Sequence, residues 1–553
     1  MRRQSRPECS GTAIFVISLA ALLISCGPKP PHIDSIEPKI GIPGETITIR
    51  GYNFGKERDE SYVTIAGGSP TNFSYLDWSA DQITLKTPEL GETGLVYVYV
   101  KGKKSNGALF SNQASLPQPA KDVEIGFGPA IASIIPQSGP VGTLITITGN
   151  NFGSSRERSA VFFNWEGEQF PAPPPEARGA EFIEVPDAEF GYDLWSEREI
   201  RVRVPDGAAS GNLEIRTLRG QSRPFFFDVD GMPGAKTFGD KRSYTISYSV
   251  NIRVNEADRS NSLYLWIPRP SVSAAQRNIE LLSRNAEPFV ENYRGVNLYK
   301  LDNLAPGSDV YITMSYKVDV YAVETNVRAQ SIRQEDDSAV RAAYTQADSL
   351  VPSDNPRVKA MTRTITGQEQ NPYLKAQRIY EWLVNECLAP PDTESDNMGF
   401  PHSPLEALAA KQADTYTAAL LFCALGRASG IPCVPLSGVL VNRSRQTRVH
   451  YWAEFWIDGM GWIPVDPGMG AGAVPSAFQV RADRTSYYFG NTDSQRITFS
   501  RGHVNLSQMD QRGRATGSTR SYSLQNLWEE AVGGIESYSS LWGDITVTGI
   551  YAQ

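Results

Sequence analysis

The chain has 553 residues, of which 40% are hydrophobic and 21% charged, and its net charge is −8. A single hydrophobic core does not extend over this length, so we expect several domains. The acidic balance gives no indication of a nucleic-acid partner.

The first residues predict an export signal. Three arginines among the first six residues precede the apolar run GTAIFVISLAALLIS, which at about fifteen residues is short for a bilayer span. The run ends at LISC, which resembles the bacterial lipobox and implies lipidation of Cys26. We therefore predict a signal peptide at 1–25, a lipidated tether at 26–31 and a membrane-anchored lipoprotein of the bacterial cell envelope. An ordinary cleaved signal and an uncleaved anchor are the alternatives.

Three further cysteines follow the lipid site, namely Cys387, Cys423 and Cys433. One pair is able to bridge, but their number and spacing indicate neither a disulfide framework nor a CxxC metal pattern. We expect Cys423 and Cys433 to be small buried core residues. The sequence gives no sign of a metal or an organic cofactor, because its four histidines are scattered and no acidic loop has calcium spacing.

One pattern occurs twice, 98 residues apart. PHIDSIEPKIGIPGETITIRGYNFG begins at Pro31, and PAIASIIPQSGPVGTLITITGNNFG begins at Pro129. The TITI alternation in both copies predicts a strand with one buried face. Gly51 and Gly149 end that strand, and we expect a positive φ there.

Later strands such as LVYVYV and NLEIRT, separated by turn residues, predict β-sandwiches in which Phe54 and Phe152 close one end of the core. The P-x(2)-G-x(2)-G, alternating strand and G-x-N-F-G order resembles the IPT/TIG immunoglobulin-like domain. The resemblance implies tandem all-β sandwiches at 32–118 and 128–230 that act as binding or spacer modules without catalytic residues. The second copy carries a Pro- and acid-rich insert at 165–195, either a decorated loop or a ligand-contact loop.

The strictly alternating segment YTISYSVNIRV predicts a third sandwich at 240–325, which resembles the β domain that often precedes transglutaminase-like domains in bacteria. Helices follow. SPLEALAA has the capping pattern of Ser403 with Glu406, and Asp414 is placed to cap the apolar run that ends at Gly430.

Residues 335–500 resemble the transglutaminase-like superfamily of papain-type cysteine enzymes. The resemblance is carried by CALGRASGIP, which ends an apolar helix, and by the later HYWAEFWIDGMGWIPVDP. It implies an α+β, papain-like domain with a nucleophile at the helix start, a His base on a strand and an Asp on the next strand. Carried over, His450 is the base, Asp466 orients it, and the nucleophile position falls on Thr415, where the family has Cys.

Threonine changes the expected chemistry. A thiol has a pKa of about 8.5, which a helix N-terminus and a nearby His lower until the thiolate forms. A hydroxyl is a far weaker acid, and threonine nucleophiles usually rely on a free N-terminal amine, whereas Thr415 is internal. Cys423 lies about 12 Å further along the helix and does not substitute. A serine beside a His–Asp pair does react, so a hydroxyl mechanism stays open.

Aromatic residues surround these positions. Tyr416, Tyr451, Trp452 and Trp462 are either core residues or an aromatic groove that could hold a peptide or a sugar. Residues 487–502 predict two strands that close the domain. The C-terminal segment at 501–553 predicts a loop, a short helix at LQNLWEEAVGGIESYSSLW and a last strand at DITVTGIYA.

Three functions are consistent with these patterns. The favoured hypothesis is a non-catalytic lipoprotein, anchored to the membrane by its lipid, whose degenerate domain binds a peptide, a glycan or a protein. The alternative is an active acyl-transfer or peptide-hydrolysing enzyme that uses Thr415, His450 and Asp466. A purely structural spacer would explain the sandwiches but not the His–Asp pair.

Overall fold

The computed structural model describes residues 29–88, 92–117, 127–156, 158–165, 167–170, 181–186, 191–332, 339–387, 401–479, 481–518 and 520–552. The predicted signal peptide at 1–25 and the predicted lipidation site at Cys26 lie outside these ranges. Within them, no helix has both the length and the apolar composition that crossing a bilayer requires.

The first domain is the predicted β-sandwich. Its nine strands are β1 (His32–Glu37), β2 (Ile40–Gly41), β3 (Thr46–Tyr52), β4 (Tyr62–Ile65), β5 (Tyr75–Trp78), β6 (Gln82–Lys86), β7 (Gly94–Val100), β8 (Lys103–Lys104) and β9 (Ala108–Asn112). They form two sheets, in the orders β1-β3-β6-β5 and β2-β9-β7-β4, with β8 attached to β7. Phe54 is fully buried between the sheets, as the sequence predicted.

The second domain repeats this arrangement. Its strands are β10 (Ala130–Ile135), β11 (Leu144–Asn150), β12 (Ala160–Asn164), β13 (Glu168–Phe170), β14 (Phe182–Glu184), β15 (Tyr192–Trp195), β16 (Glu199–Arg203), β17 (Gly211–Thr217), β18 (Gly220–Gln221) and β19 (Phe225–Phe227). The sheets are β10-β11-β16-β15 and β14-β12-β17-β18, with β19 on β17. The described part of the insert at 165–195 contains β13, β14 and β15.

The role of the paired glycines differs from the prediction. Neither Gly51 nor Gly149 has a positive φ; that conformation occurs two residues later, at Asn53 and Asn151. A Cβ at Gly51 would lie 1.9 Å from the carbonyl oxygen of His32, and one at Gly149 would lie 2.1 Å from that of Ala130. Glycine is therefore required because two backbones approach closely, not because of its conformational freedom.

A large sheet follows the two sandwiches. It begins with β20 (Gly234–Pro268), β21 (Gln276–Arg284), β22 (Val290–Tyr293), β23 (Val296–Asp302) and β24 (Asp309–Val327). The order is β21-β24-β20-β23-β22, and β13 of the second domain joins the sheet by pairing with β20. Because β20 runs for 35 residues, it pairs with β24 from Gly234 to Arg253 and with β23 from Ser262 to Pro268.

The α+β region comes next and agrees with the predicted fold class. Its helices are α1 (Ala339–Tyr344), α2 (Pro356–Thr366), α3 (Pro372–Glu386), α4 (Pro404–Ala410), α5 (Thr415–Ala428), α6 (Pro467–Ala471) and α7 (Arg484–Tyr487). A four-stranded sheet in the order β27-β26-β25-β28 consists of β25 (Cys433–Val441), β26 (Thr447–Ile457), β27 (Gly461–Val465) and β28 (Arg496–Arg501). Where two strands were predicted at 487–502, the structure has only β28; α7 ends at Tyr487, and the segment before β28 makes only isolated bridges, at Phe489 and Thr492.

Helix α5 is the centre of this region. It is apolar on all sides, and nearly all of its residues are buried against α2, α3, α4 and strand β26. Its predicted start is confirmed, since the Asp414 side chain accepts hydrogen bonds from the Thr417 N–H and hydroxyl, both at 2.8 Å. Ser403 likewise caps α4 by accepting from the Glu406 N–H at 3.3 Å.

The C-terminal segment returns to the large sheet, through β29 (Arg514–Ser518), β30 (Gln525–Trp542) and β31 (Thr546–Ala552). The prediction of a short helix in this segment is wrong, because β30 occupies it, whereas the predicted last strand is confirmed as β31. Strand β30 pairs with β20 over most of its length, and the local helical pattern yields to this long-range pairing. Gly533 and Gly534 fit because the backbone of β20 passes directly beside them.

Candidate functional site

Thr415 is the first residue of α5, where the sequence analysis predicted the nucleophile position. Its side chain is partly exposed, whereas the preceding Asp414 is buried. Asp414 caps the helix and also forms an ion pair with Arg520. The positive end of the helix dipole at Thr415 is thus already compensated by a carboxylate.

His450 and Asp466 form a closed pair. His450 lies on β26, Asp466 follows β27, and the distance from His450 Nε2 to Asp466 Oδ2 is 2.8 Å. Both side chains are buried, each with 0% relative exposure. The sequence prediction that these two residues, sixteen positions apart, meet in space agrees with this geometry.

Two further contacts hold Asp466 in place. Arg496 Nη1 donates a hydrogen bond to Asp466 Oδ2 at 2.7 Å, and the Met469 N–H donates to Asp466 Oδ1 at 2.9 Å, which caps α6. Burial alone would raise the pKa of Asp466, but the neighbouring His450 and Arg496 and these hydrogen bonds lower it to about 2. The carboxylate is therefore ionised at all physiological pH values.

Gly468 lies between Thr415 and the carboxylate of Asp466. A Cβ placed on Gly468 would lie 2.7 Å from Thr415 Cγ2 and 3.4 Å from Asp466 Oδ1. The methyl group of Thr415 thus packs against the start of α6, where no side chain intervenes. Gly468 permits the helix that carries Thr415 to approach the loop that carries Asp466.

The second imidazole nitrogen has no partner. His450 Nδ1 is buried, and no described residue forms a hydrogen bond with it, so neither the Thr415 hydroxyl nor a thiol does so. A general base must lie within hydrogen-bond reach of the proton that it removes. Among the described residues, the predicted base and the predicted orienting carboxylate are therefore in contact, and no predicted nucleophile forms a hydrogen bond with the base.

The three described cysteines do not supply the missing thiol. Cys387, Cys423 and Cys433 are all unpaired and buried, as expected for the last two. Burial raises the pKa of Cys387 to about 11 and that of Cys433 to about 12, and it also raises the pKa of Cys423 well above the ordinary thiol value. None of these thiols forms a thiolate near neutral pH.

The four predicted groove aromatics are all buried and lie in two places. Tyr416 and Tyr451 pack edge to face within the core around α5, with their ring centres 4.9 Å apart. On the other face of β26, Trp452 stacks on the imidazole of His450, with the ring centres 5.9 Å apart. Trp462 packs in the same small hydrophobic cluster as Trp452. Successive side chains of a strand point to opposite faces, which separates the two pairs.

Sequence reasoning missed Arg496 and Gly468. Arg496 is 4% exposed, bridges Asp466 and Asp493, and lies 5.1 Å from the centre of the Trp452 ring. The only local signal was an arginine at the start of the apolar segment RITF. A buried arginine requires carboxylate partners, and those lie 30 and 3 residues away along the chain.

Comparisons with known proteins agree with the predicted domain families. Residues 359–467 match the profile of the transglutaminase-like superfamily, and residues 31–116 and 129–166 match that of the IPT/TIG domain. None of the curated proteins matches the chain.

Several solved structures align with parts of the chain. A candidate cysteine protease from Cytophaga hutchinsonii is 14% identical, with a TM-score of 0.37, 57% of this chain covered and 93% of that one. The periplasmic domain of TgpA from Pseudomonas aeruginosa is 14% identical, with a TM-score of 0.24 and coverages of 59% and 92%. SGBP-B from a complex xyloglucan utilization locus in Bacteroides uniformis is 12% identical, with a TM-score of 0.13 and coverages of 53% and 99%. With the two profile matches, the fold and the geometry lead to one assignment: the chain contains two IPT/TIG domains followed by a transglutaminase-like core domain.

Proposed function

We propose that this protein is a bacterial envelope lipoprotein whose transglutaminase-like core binds a ligand without transferring acyl groups. The observation that carries the proposal is Thr415 at the helix start, where the reaction needs a thiol. The lipobox at Cys26 supports the membrane anchor.

The surroundings of Thr415 also disfavour an alkoxide. The buried Asp414 carboxylate lies next to it in sequence and already accepts hydrogen bonds from the first turn of α5. A second negative charge at this position would be repelled by that carboxylate, although the ion pair of Asp414 with Arg520 reduces this repulsion. The Thr415 methyl group is held against α6, and its hydroxyl does not engage His450.

The His450–Asp466 pair has a structural use that needs no catalysis. Asp466 binds Arg496, His450 stacks on Trp452, and Arg496 lies over the same Trp452 ring. The pair thus fixes an arginine and a tryptophan on one face of the sheet. Buried charged groups persist when each has its partner, which explains why the pair is compatible with a non-catalytic protein.

An active enzyme is the second candidate, and one observation favours it. His450 Nδ1 faces no hydrogen-bond partner, so it is free to accept a proton if the Thr415 hydroxyl rotates or shifts toward it. In that case the Thr415 oxygen would attack the acyl carbon, and His450 would take the hydroxyl proton and give it to the leaving amine. Water or a second amine would then release the acyl group from Thr415, while Asp466 orients the imidazole.

The two candidates are separated by assays on the full chain purified in detergent. Amine incorporation and peptide hydrolysis are measured for wild type, Thr415→Cys, Thr415→Ala and His450→Gln, with Cys423→Ala as a matched core control. We expect no turnover by wild type, and we expect alkylation of the Thr415→Cys thiol by iodoacetamide that slows when His450→Gln is added. Wild-type turnover that both Thr415→Ala and His450→Gln abolish would establish the enzyme instead.

The membrane anchor has its own test. The full chain is expressed in a bacterial host with labelled palmitate, beside a Cys26→Ser variant. Label in the wild type alone supports lipidation, and equal labelling of both chains contradicts it.

A further inference from the structure

A cleft of about 1060 Å³ opens where four parts of the chain meet. Its walls come from both IPT/TIG domains, the large sheet and the transglutaminase-like core. Thr415, His450 and Asp466 do not belong to the described residues that line it, but Trp452 and Arg496 do. Two lining residues of the cleft thus contact the His450–Asp466 pair, whereas the nucleophile position at Thr415 is not part of the lining. Cavities of this size are typical of ligand sites between domains.

The walls are joined by hydrogen bonds, so the cleft is formed before any ligand arrives. Lys236 Nζ donates to the carbonyl oxygen of Trp462 at 2.7 Å, which ties the large sheet to the core. The hydroxyls of Thr93 and Ser507 lie 2.9 Å apart, which ties the first domain to the loop after β28. A preformed site loses less conformational entropy on binding than one that must close.

One wall is a tyrosine surface. Tyr62 on β4 and Tyr97 and Tyr99 on β7 line the cleft, while the intervening residues of both strands face the core of the first domain. Tyr62 is 41% exposed and stacks on Tyr99 at 4.6 Å, and Lys104 Nζ lies 3.8 Å from the centre of Tyr97. The cleft thus meets the side chains of a sheet face whose edge strand is β4, and the test below includes peptides for that reason.

The charges in the cleft are balanced. Its lining contains seven Lys and Arg side chains and seven Asp and Glu side chains. Several pair with each other, such as Arg501 with Glu454 at 2.7 Å and Arg427 with Asp348 at 2.6 Å. A balanced lining does not attract a polyanion or a polycation, but its planar groups present both donors and acceptors.

We propose that this cleft binds a neutral oligosaccharide. Aromatic rings pack against the apolar C–H faces of sugar rings, and sugar hydroxyls both donate and accept hydrogen bonds, so they match a lining that contains both carboxylates and guanidiniums. The inference rests on the binding role proposed above and names the ligand class. It holds whether or not Thr415 reacts, because the cleft and the nucleophile position do not share residues.

The test is affinity electrophoresis of the full chain in a polyoxyethylene detergent. The gels contain a soluble β-glucan, a galactomannan, an arabinoxylan or dextran, with polygalacturonate as the anionic polymer, and casein peptides are tested by calorimetry. Tyr62→Ala removes an exposed cleft tyrosine, and Val272→Trp adds bulk at an exposed lining position. Tyr52→Ala is the matched control, because Tyr52 lies on the same domain and is 50% exposed, against 41% for Tyr62, but does not line the cleft.

We expect at least one neutral polymer to retard wild type and Tyr52→Ala equally, with about tenfold weaker binding by Tyr62→Ala. Val272→Trp is expected to weaken binding as well. The proposal is overturned if no neutral polymer retards the chain, if only the peptides or polygalacturonate bind, or if both cleft variants bind as wild type does. Such results would leave the thiol and turnover assays on Thr415 unaffected, so the two proposals fail separately.

Discussion

Replacing Asp466 by Asn tests whether the buried pair stabilises the core. The pKa of this carboxyl falls from 3.8 to about 2 in the folded protein, because His450, Arg496 and the hydrogen bonds outweigh the effect of burial. At about 1.4 kcal/mol for each pH unit, this difference corresponds to on the order of 2 kcal/mol of folding free energy. Asparagine keeps the shape and a hydrogen-bonding oxygen but removes the charge.

The sign of the pH dependence follows from the lowered pKa. A carboxyl with a lowered folded-state pKa contributes its full stabilisation above pH 3.8 and loses it as the pH falls toward 2. The stabilities of wild type and Asp466→Asn should therefore differ by the full amount at pH 5, and this difference in stability should shrink toward pH 2.5.

Hydrogen exchange of the intact protein, followed in peptides from β26 and β27, measures the local stability of these strands. This measurement does not require the multidomain chain to unfold in a single two-state step. We expect about 30-fold less protection in Asp466→Asn than in wild type at pH 5, the equivalent of about 2 kcal/mol. Asp483→Asn, at an exposed carboxylate paired only with Arg481, is the control and should leave β26 unchanged. If wild type and Asp466→Asn show equal protection at pH 5, the pair does not stabilise the core and the reasoning is wrong.

Three further predictions concern other parts of the chain. Burial raises the pKa of Glu530 from 4.5 to about 7, although the Met509 and Asp510 N–H groups donate hydrogen bonds to its carboxylate. The free energy of unfolding should therefore decrease as the pH rises from 4.5 to about 7. Urea titrations of Glu530→Gln should no longer show this decrease. Gly51→Ala would place a Cβ 1.9 Å from the His32 carbonyl oxygen and should destabilise the first domain by about 1–3 kcal/mol in thermal unfolding, whereas Gly128→Ala, with no contact closer than 3.6 Å, should have little effect. Because Cys387, Cys423 and Cys433 are buried with raised pKa values, iodoacetamide at pH 8 should label them only in urea, and rapid labelling of the native chain would contradict their placement.

Local patterns along the chain were sufficient for much of the fold. The 98-residue repeat predicted two sandwiches, since strand alternation and turn residues act over a few positions. Asp414 and Ser403 marked the starts of α5 and α4, because capping depends on neighbours within one turn. The order of the helix, His450 and Asp466 carried enough family signal to predict that the last two meet.

Tertiary structure decided the rest, because it depends on partners that are remote in sequence. The segment Gln525–Trp542 is a strand only because β20 offers a free edge some 270 positions earlier, and its local pattern favours a helix. Arg496 became part of the site through a carboxylate 30 residues away, and the cleft exists only where four parts of the chain converge. Sequence periodicity determined which face of each element is buried, whereas the docking of elements determined which side chains share a site.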